Sequence, residues 1–304
     1  MAEKHSKNFI DLGCSLEAVY HPKEIKSSFF KSFKHIISFE DLDNVDYEFI
    51  IISSPNYYHT GQINYFLNKK KILFVEKPFV INFEGIIGGE DDLTKNIFVS
   101  FNLRYQKNTQ KLKELLNQNF INKGNVLREI NVKWLRNQKL DLNKWFFDKK
   151  LSGGGILIDW GVHCIDLISF LLNLNNFTRN ELKFENFRND IECSCNGIFF
   201  IDDIKIKLNL SWVEKHNIEP LNIEFIFENS EVIKWSKDGS LYQKYNNHDY
   251  ERIFNSNTSN MYNYFLEEYL SEKLCFKATE NKKTNFLNYK NTQIFLENTY
   301  KKLS

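Results

Sequence analysis

The chain has 304 residues, of which 42% are hydrophobic, so it is long enough for two domains with substantial cores. It carries 40 basic and 39 acidic residues, a formal net charge of +1. This balance, without a long run of one sign, argues against nucleic acid or an anionic membrane as partner and favours a small molecule.

The chain start lacks a charged segment followed by an apolar core, and the apolar runs are strand-sized. The sequence therefore predicts neither a signal peptide nor a membrane span, and cytoplasmic residence is the default expectation. The five cysteines are odd in number and widely spread, which favours buried free thiols over disulfides or a metal site. They are Cys14, Cys164, Cys193, Cys195 and Cys275.

Apolar runs alternate with helical segments up to about residue 102. Residues 5–13 are predicted to form a helix that ends at Gly13. Strands are predicted at 16–20, 35–38, 47–53, 72–75 and 97–101. Because most of these runs are continuously apolar rather than alternating, they indicate a parallel sheet covered by helices on both faces. We assign residues 1–102 to this first domain.

From residue 125 onward the strand patterns lengthen and alternate, with Asn229-Ser230 placed like a hairpin turn. Strands are predicted at 127–134, 191–200, 204–212, 221–228 and 231–235, and helices at 108–117, 156–173, 261–274 and 286–303. The pattern indicates a second, α+β domain over residues 103–304 with a largely antiparallel sheet.

The most informative segment is the run Gly153-Gly154-Gly155, which leads into an apolar helix carrying Asp159 and His163. Residues four apart lie on one helix face, so a carboxylate and an imidazole are expected side by side. The glycines would let a ligand approach the backbone closely. In isolation, this spacing fits a solvated polar helix face better than an acid-base pair.

A second motif ends the apolar run at 72–75 with Glu76-Lys77-Pro78. Lys77 would lie at the carboxyl end of a buried strand, where open α/β sheets bind ligands. The preceding strand ends similarly in Ser53-Ser54-Pro55-Asn56, with His59 three residues later. The two strand ends would offer polar groups to one crevice.

Together these segments resemble the Gfo/Idh/MocA family of nicotinamide-dependent oxidoreductases over most of the chain. The resemblance rests on four motifs in the family's order: Ser54-Pro55-Asn56 with His59, Glu76-Lys77-Pro78, Phe101-Asn102-Leu103-Arg104-Tyr105, and the glycine run with Asp159, Gly161, His163 and Asp166. It implies a Rossmann-like, doubly wound parallel sheet over residues 1–102 and NAD or NADP as cofactor.

The resemblance implies hydride transfer at a secondary alcohol or ketone of a sugar, nucleotide-linked sugar or polyol. Such oxidation needs a base for the hydroxyl proton and a stabiliser of the developing alkoxide. His163 is the candidate base in oxidation and acid in reduction. Lys77 is the candidate ammonium at the reacting oxygen, and Asp159 would orient substrate hydroxyls or the His163 ring.

Further site residues are expected around this centre. The candidates for cofactor binding are His21, Ser53, Ser54, Pro55, Asn56, His59, Glu76 and Lys77. The candidates for substrate binding are Arg104, Tyr105, Trp145 and Asp159. An interdomain ion pair explains Arg104 and Tyr105 equally well, and a sheet-helix core explains Trp134, Arg136, Trp145 and Asp148 equally well.

One departure from the family pattern concerns the nucleotide-binding start. A strand followed by G-x-G-x-x-G is expected before the first helix, and neither precedes residues 5–13. We expect either a start at an internal Met or a decayed relative with impaired cofactor binding. His21 follows the strand at 16–20, where NAD-binding domains often carry an acid, so the choice between NAD and NADP stays open.

Three functions remain to be distinguished. The favoured one is an NAD(P)-dependent oxidoreductase, and the resemblance adds a homo-oligomer formed through the open face of the C-terminal sheet. The alternative is a non-catalytic homologue that keeps the fold. A hydrolase using Asp159 and His163 is weaker, because it leaves Glu76-Lys77-Pro78 without a role.

Overall fold

The computed structural model describes residues 1–89, 93, 95–122, 125–174, 176–256, 258–259, 261–274 and 280–302. Its helices are α1 (Ala2–Asp11), α2 (His59–Asn68), α3 (Lys107–Asn122), α4 (Lys149–Ser152), α5 (Val162–Leu172), α6 (Met261–Leu274) and α7 (Glu280–Lys301). Cys275, one of the predicted thiols, lies outside the described residues. Of the other four, Cys164, Cys193 and Cys195 are buried and free, whereas Cys14 is free and partly exposed.

The first part of the chain forms parallel sheets, as predicted. Its strands are β1 (Ala18–Tyr20), β2 (Lys34–Ile36), β3 (Phe49–Ile52), β4 (Ile72–Val75) and β5 (Ile97–Val99). β1 pairs with β2, and β3, β4 and β5 form a second sheet in that order. The break between β1 and β3 falls where the doubly wound order 3-2-1-4-5-6 has its first strand.

Central strand β4 is buried on both faces, which explains its unbroken apolar sequence. Leu73 and Val75 belong to the large core, whereas Phe74 packs in a second core with Phe9 of α1 and Phe265 of α6. Helix α1 is thus fixed to the sheet by Phe9, which is 2% exposed.

The second part of the chain forms one eight-stranded sheet. Its strands are β6 (Leu127–Leu135), β7 (Phe177–Glu185), β8 (Ser194–Ile201), β9 (Ile204–Ser211), β10 (Glu219–Phe227), β11 (Glu231–Ser236), β12 (Ser240–Tyr245) and β13 (Glu251–Asn255). The order is β13-β12-β11-β10-β6-β9-β8-β7, and only the β6–β9 pair is parallel among those described. The largely antiparallel prediction is confirmed, and Ser230 (φ 66°) turns the β10–β11 hairpin as expected.

The sequence analysis did not predict three of the strands, β7, β12 and β13. β7 and β13 form the two edges of the sheet and carry mostly polar side chains that are exposed or half-buried. Edge strands bury little apolar surface, so their sequences lack the pattern on which the prediction depends.

One segment is long and apolar enough to cross a membrane, contrary to prediction. It comprises the 24 residues Lys149–Leu172, and 78% of its most apolar window is buried inside the protein. Helix α5, which ends this segment, packs against α3 and α7. Its apolar character is therefore accounted for by the core, and it is weak evidence for a membrane.

Candidate active site

The segment after the glycine run departs from the regular helix that its spacing predicts. Residues Leu157–Gly161 form a π-helical turn, and α5 begins only at Val162. A π turn contains one more residue than an α turn, so side chains four apart no longer stack as they do on an α-helix. Such turns occur frequently at functional sites.

This turn presents Asp159 to Lys77, which follows β4. The Lys77 ammonium donates to the Asp159 carboxylate (Nζ–Oδ1 2.6 Å) and to its backbone carbonyl (3.0 Å). Both side chains retain access to solvent, with exposed fractions of 17% and 26%. The structure thus brings two predicted catalytic residues together, but it pairs Asp159 with Lys77 rather than with the His163 ring.

His163 lies one helical turn beyond Asp159 and is partly exposed. Its Nδ1 atom is buried and has no hydrogen-bond partner among the described residues. Burial, followed by the charges of Lys77 and Lys237, holds the pKa of His163 well below its usual 6.5. The imidazole is therefore neutral near pH 7 and can accept a proton.

The lowered pKa of His163 predicts a pH-dependent stability. Between the folded-state pKa and 6.5 the unfolded chain binds more protons, so stability is lost as the pH falls below 6.5. The loss should approach about 1 kcal/mol per pH unit. Urea unfolding of the wild type and His163→Gln between pH 7.5 and 5.5 should show a shallower dependence for the variant. Exposed His248 supplies the control, and His248→Gln should behave like wild type; equal slopes for all three proteins would contradict the prediction.

Side chains and backbone of the protein itself occupy the space beside the glycine run. This corrects the expectation that a ligand approaches the backbone there. A Cβ atom at Gly155 would lie 2.1 Å from the Glu192 carbonyl oxygen, and one at Gly154 would lie 2.6 Å from the Tyr300 ring. Gly153 has φ +81° and ends α4. The glycines therefore allow close packing against the segment before β8 and against α7.

Gly155→Ala is expected to destabilise the fold by about 3 kcal/mol, the upper end for overpacking, because the clash is with backbone. Gly61, in α2, has no atom within 4 Å of its would-be Cβ. Gly61→Ala should instead stabilise by roughly 0.5 to 1 kcal/mol. Thermal unfolding should give a lower melting temperature for Gly155→Ala than for Gly61→Ala. Equal melting temperatures would contradict the prediction and show that the backbone at Gly155 can move to accommodate a Cβ atom.

The predicted cofactor residues at the end of β3 separate into two groups. Ser53, Ser54 and Pro55 are half-buried and remain candidates for cofactor contact. Asn56 and His59 are buried, with exposed fractions of 5% and 0%, which corrects the expectation of direct contact. Their side chains instead form hydrogen bonds to backbone carbonyls of neighbouring segments.

The Asn56 amide donates to the Ser152 carbonyl (2.8 Å), joining the end of β3 to the glycine run. The His59 ring lies between the carbonyls of Ser54, Pro78 and Phe79, at 3.0 to 3.1 Å. Burial lowers the pKa of His59, and its two ring nitrogens lie against carbonyl groups at the two strand ends. Both residues position the segment that carries Lys77.

Glu76 is also turned away from solvent, with an exposed fraction of 8%. Its carboxylate lies 2.5 Å from Nε2 of His5 in α1 and accepts a hydrogen bond from the Lys77 amide (3.0 Å). Burial opposes its ionisation, but the His5 hydrogen bond and the charges of His5 and Lys77 hold its pKa below the usual range. Glu76 anchors Lys77 rather than contacting a ligand.

Arg104 and Tyr105 occupy buried positions, which favours the ion-pair alternative over substrate contact. The Arg104 guanidinium binds both carboxylate oxygens of Asp166 in α5, with Nε–Oδ2 at 2.7 Å. Tyr105 packs between Phe98 and Tyr264 in the second core. Within the predicted domain bounds this ion pair lies inside the second domain, where the contacts connect the segment after β5 to α5 and α6.

Of the remaining predicted residues, His21 is exposed just after β1. Trp145 is 40% exposed, so it can still contact a ligand. Asp148 caps α4 by accepting from the Lys150 amide (2.9 Å). Trp134 is 6% exposed and stacks on Trp160, with centroids 4.0 Å apart.

Two residues near the site were not predicted. Glu192, 3% exposed, accepts a hydrogen bond from the Gly155 amide (2.8 Å) and one from the Tyr300 hydroxyl. Lys237 lies in the β11–β12 turn with its ammonium over the Trp134 ring, 4.2 Å from the centroid. Neither has a sequence signal, because each reaches the site through the pairing of distant strands.

Comparison with family models gives two matches. Residues 1–87 match a model described as the oxidoreductase family, NAD-binding Rossmann fold. Residues 109–227 match the GFO/IDH/MocA C-terminal domain. The two models describe the N-terminal and C-terminal domains of one family, and together they cover most of the chain.

Similar proteins include the glucose-6-phosphate 3-dehydrogenase of Bacillus subtilis (strain 168), 33% identical over 153 residues. That match covers 47% of this chain and 42% of the relative. The chain matches only about half the length of its curated relatives. A protein of known structure from Erwinia carotovora atroseptica SCRI1043 has the same fold, with TM-score 0.77 and 16% identity over 97% of this chain and 94% of that one. Levoglucosan dehydrogenase bound to NADH and levoglucosan gives TM-score 0.65 and 14% identity, covering 92% and 80% of the two chains.

Proposed function

Because the chain belongs to the GFO/IDH/MocA family of oxidoreductases, we propose that it transfers a hydride between NAD or NADP and a sugar. The reacting group is a secondary alcohol or ketone of a sugar, nucleotide-linked sugar or polyol. The observation that carries this proposal is the Lys77–Asp159 pair beside a neutral His163 at the end of β4.

Each of the three side chains has a task in alcohol oxidation. His163 accepts the hydroxyl proton, and the Lys77 ammonium donates a hydrogen bond to the oxygen that becomes negative. Asp159 holds the ammonium through Oδ1 and its backbone carbonyl, which fixes the direction of the third N–H group. In reduction, His163 returns the proton to the oxygen.

The residues present fit the nicotinamide end of the cofactor. Half-buried Ser53, Ser54 and Pro55 follow β3, and Lys77 follows neighbouring β4, so a crevice at these strand ends can hold the ring. When bound, the nicotinamide accepts or supplies the hydride. Among the described residues, no glycine-rich turn joins a strand to a helix N-terminus, so the pyrophosphate contacts are not assigned.

Isotope transfer provides a direct test. A sugar deuterated at each carbinol carbon in turn is incubated with the protein and NAD or NADP, and the reduced cofactor is analysed by mass spectrometry. One position should deliver deuterium to the nicotinamide. If no sugar or polyol in a broad panel yields labelled cofactor, the proposed function is wrong and the non-catalytic alternative takes its place.

The retained site supports catalysis over that alternative. A non-catalytic homologue has no need to keep Lys77, Asp159 and His163 together, because the buried contacts of His59 and Glu76 already connect the strand ends. Cytoplasmic residence and oligomerisation through the open face of the eight-stranded sheet remain predictions.

A further inference from the structure

Positive charge is concentrated on one side of the candidate active site. Lys237 lies over the ring of Trp134 in β6, and Arg136 follows Trp134 by two residues just after that strand, so both cations are held on the same side of the site. The charges of Arg136 and Lys77 both act on Lys237. Asp159 is the carboxylate that acts on this group, and its Oδ1 atom already accepts from Lys77. Among the described residues named here, three cations thus face one carboxylate.

Lys237 is held in place by the aromatic wall of the site. Its ammonium lies 4.2 Å from the Trp134 centroid, and Trp134 stacks on Trp160, the residue that follows Asp159. A cation over a buried indole is favourably placed while keeping its N–H donors for another partner. The contact therefore fixes the ammonium at the border of the site.

Within the part of the chain that the structure describes, neither Lys237 nor Arg136 forms a salt bridge. Asp238, adjacent to Lys237, instead accepts from the Ser240 amide (2.9 Å). Lys237 is exposed as a whole, but partial desolvation, followed by the like charges of Arg136 and Lys77, lowers its pKa. An anionic ligand would relieve this repulsion.

We propose that Lys237 and Arg136 form a subsite for the phosphoryl group of a phosphorylated sugar. A guanidinium and an ammonium together suit phosphate oxygens, which accept several charge-assisted hydrogen bonds. The phosphoryl group belongs either to a sugar phosphomonoester or to the diphosphate of a nucleotide-linked sugar. The subsite defines the substrate class of the proposed oxidoreductase and rests on that proposed function.

Ligand binding to the 304-residue chain without cofactor tests the subsite. Glucose 6-phosphate, UDP-glucose and unphosphorylated glucose are titrated by calorimetry and by tryptophan fluorescence, to which Trp134 and Trp160 contribute two of the five tryptophans. At least one phosphorylated ligand should bind about tenfold or more tightly than glucose, the scale of charge-assisted hydrogen bonds. The ligand that does so identifies the source of the phosphoryl group.

Variants then assign the effect to these residues. Lys237→Gln and Arg136→Gln should each weaken the phosphorylated ligand about tenfold and leave glucose binding unchanged. Lys234 in the preceding strand β11 also lies over aromatic rings, 4.7 Å from Tyr242 and 4.0 Å from Tyr250, and Lys234→Gln should leave the affinity for all three ligands unchanged.

Each outcome separates the subsite from the reaction. Equal affinities for glucose and both phosphorylated ligands, absence of binding by all three, or unchanged affinity in Lys237→Gln and Arg136→Gln would overturn the subsite. Deuterium transfer from unphosphorylated sugars alone would likewise overturn it while supporting the proposed function. Phosphate-dependent binding through Lys237 without hydride transfer from any sugar would support the subsite and overturn the oxidoreductase.

Discussion

Lys77→Ala and His163→Ala are each expected to lower kcat/KM for hydride transfer by about 100-fold or more, the usual scale for a positioned acid-base group. Lys77→Ala removes the donor at the reacting oxygen, and His163→Ala removes the neutral base. The loss should appear mainly in kcat, because both interactions strengthen as charge develops in the transition state. Initial rates of nicotinamide reduction over a range of sugar concentrations measure it.

A second lysine-aspartate pair supplies the control for Lys77. Lys69, at the end of α2, pairs with Asp43 on the exposed surface of the first domain. Lys69→Ala removes an equivalent ion pair remote from the site and should leave kcat/KM within twofold of wild type, since exposed pairs are worth about 0 to 1 kcal/mol. Near-normal turnover in both Lys77→Ala and His163→Ala would disprove the assignment.

The sequence reveals the alternation of elements and the strand ends, because both depend on local patterns. Continuous apolar runs identify β3, β4 and β5, and the residues after β4 include Lys77. Because Lys77 follows β4 directly in the chain, it must lie at the carboxyl end of that strand. The same logic fails for β7 and β13, which lie at sheet edges and have too few apolar side chains to show a period.

The side-chain partners could not be inferred in the same way. Asp159 and His163 have the spacing of a helical pair, but the segment between them includes a π turn. The turn comes directly after Gly155 and Ile156, whose amides donate to the distant Glu192. Lys237 meets Trp134 only because β10 pairs with both β6 and β11. Motif residues such as His59 look functional in sequence, yet burial gives them a positioning task.

The buried Arg104–Asp166 pair gives the largest expected effect on stability. Removing one partner of a buried pair leaves an uncompensated charge and typically costs about 3 to 5 kcal/mol, a large part of a total of roughly 5 to 15. Asp166→Leu and Arg104→Met should each lower the free energy of unfolding by about that amount, since both side chains are nearly inaccessible to water. Urea unfolding at pH 7 measures the change.

The double variant Arg104→Met/Asp166→Leu distinguishes a structural pair from a substrate contact. With both charges removed, apolar side chains of similar size can fill the site, so most of the lost stability should return. Exposed Lys111 and Glu114, 3.1 Å apart on α3, provide the control, and Lys111→Met should change the free energy by less than about 1 kcal/mol. Single variants with wild-type stability but a raised KM would instead assign Arg104 to substrate binding.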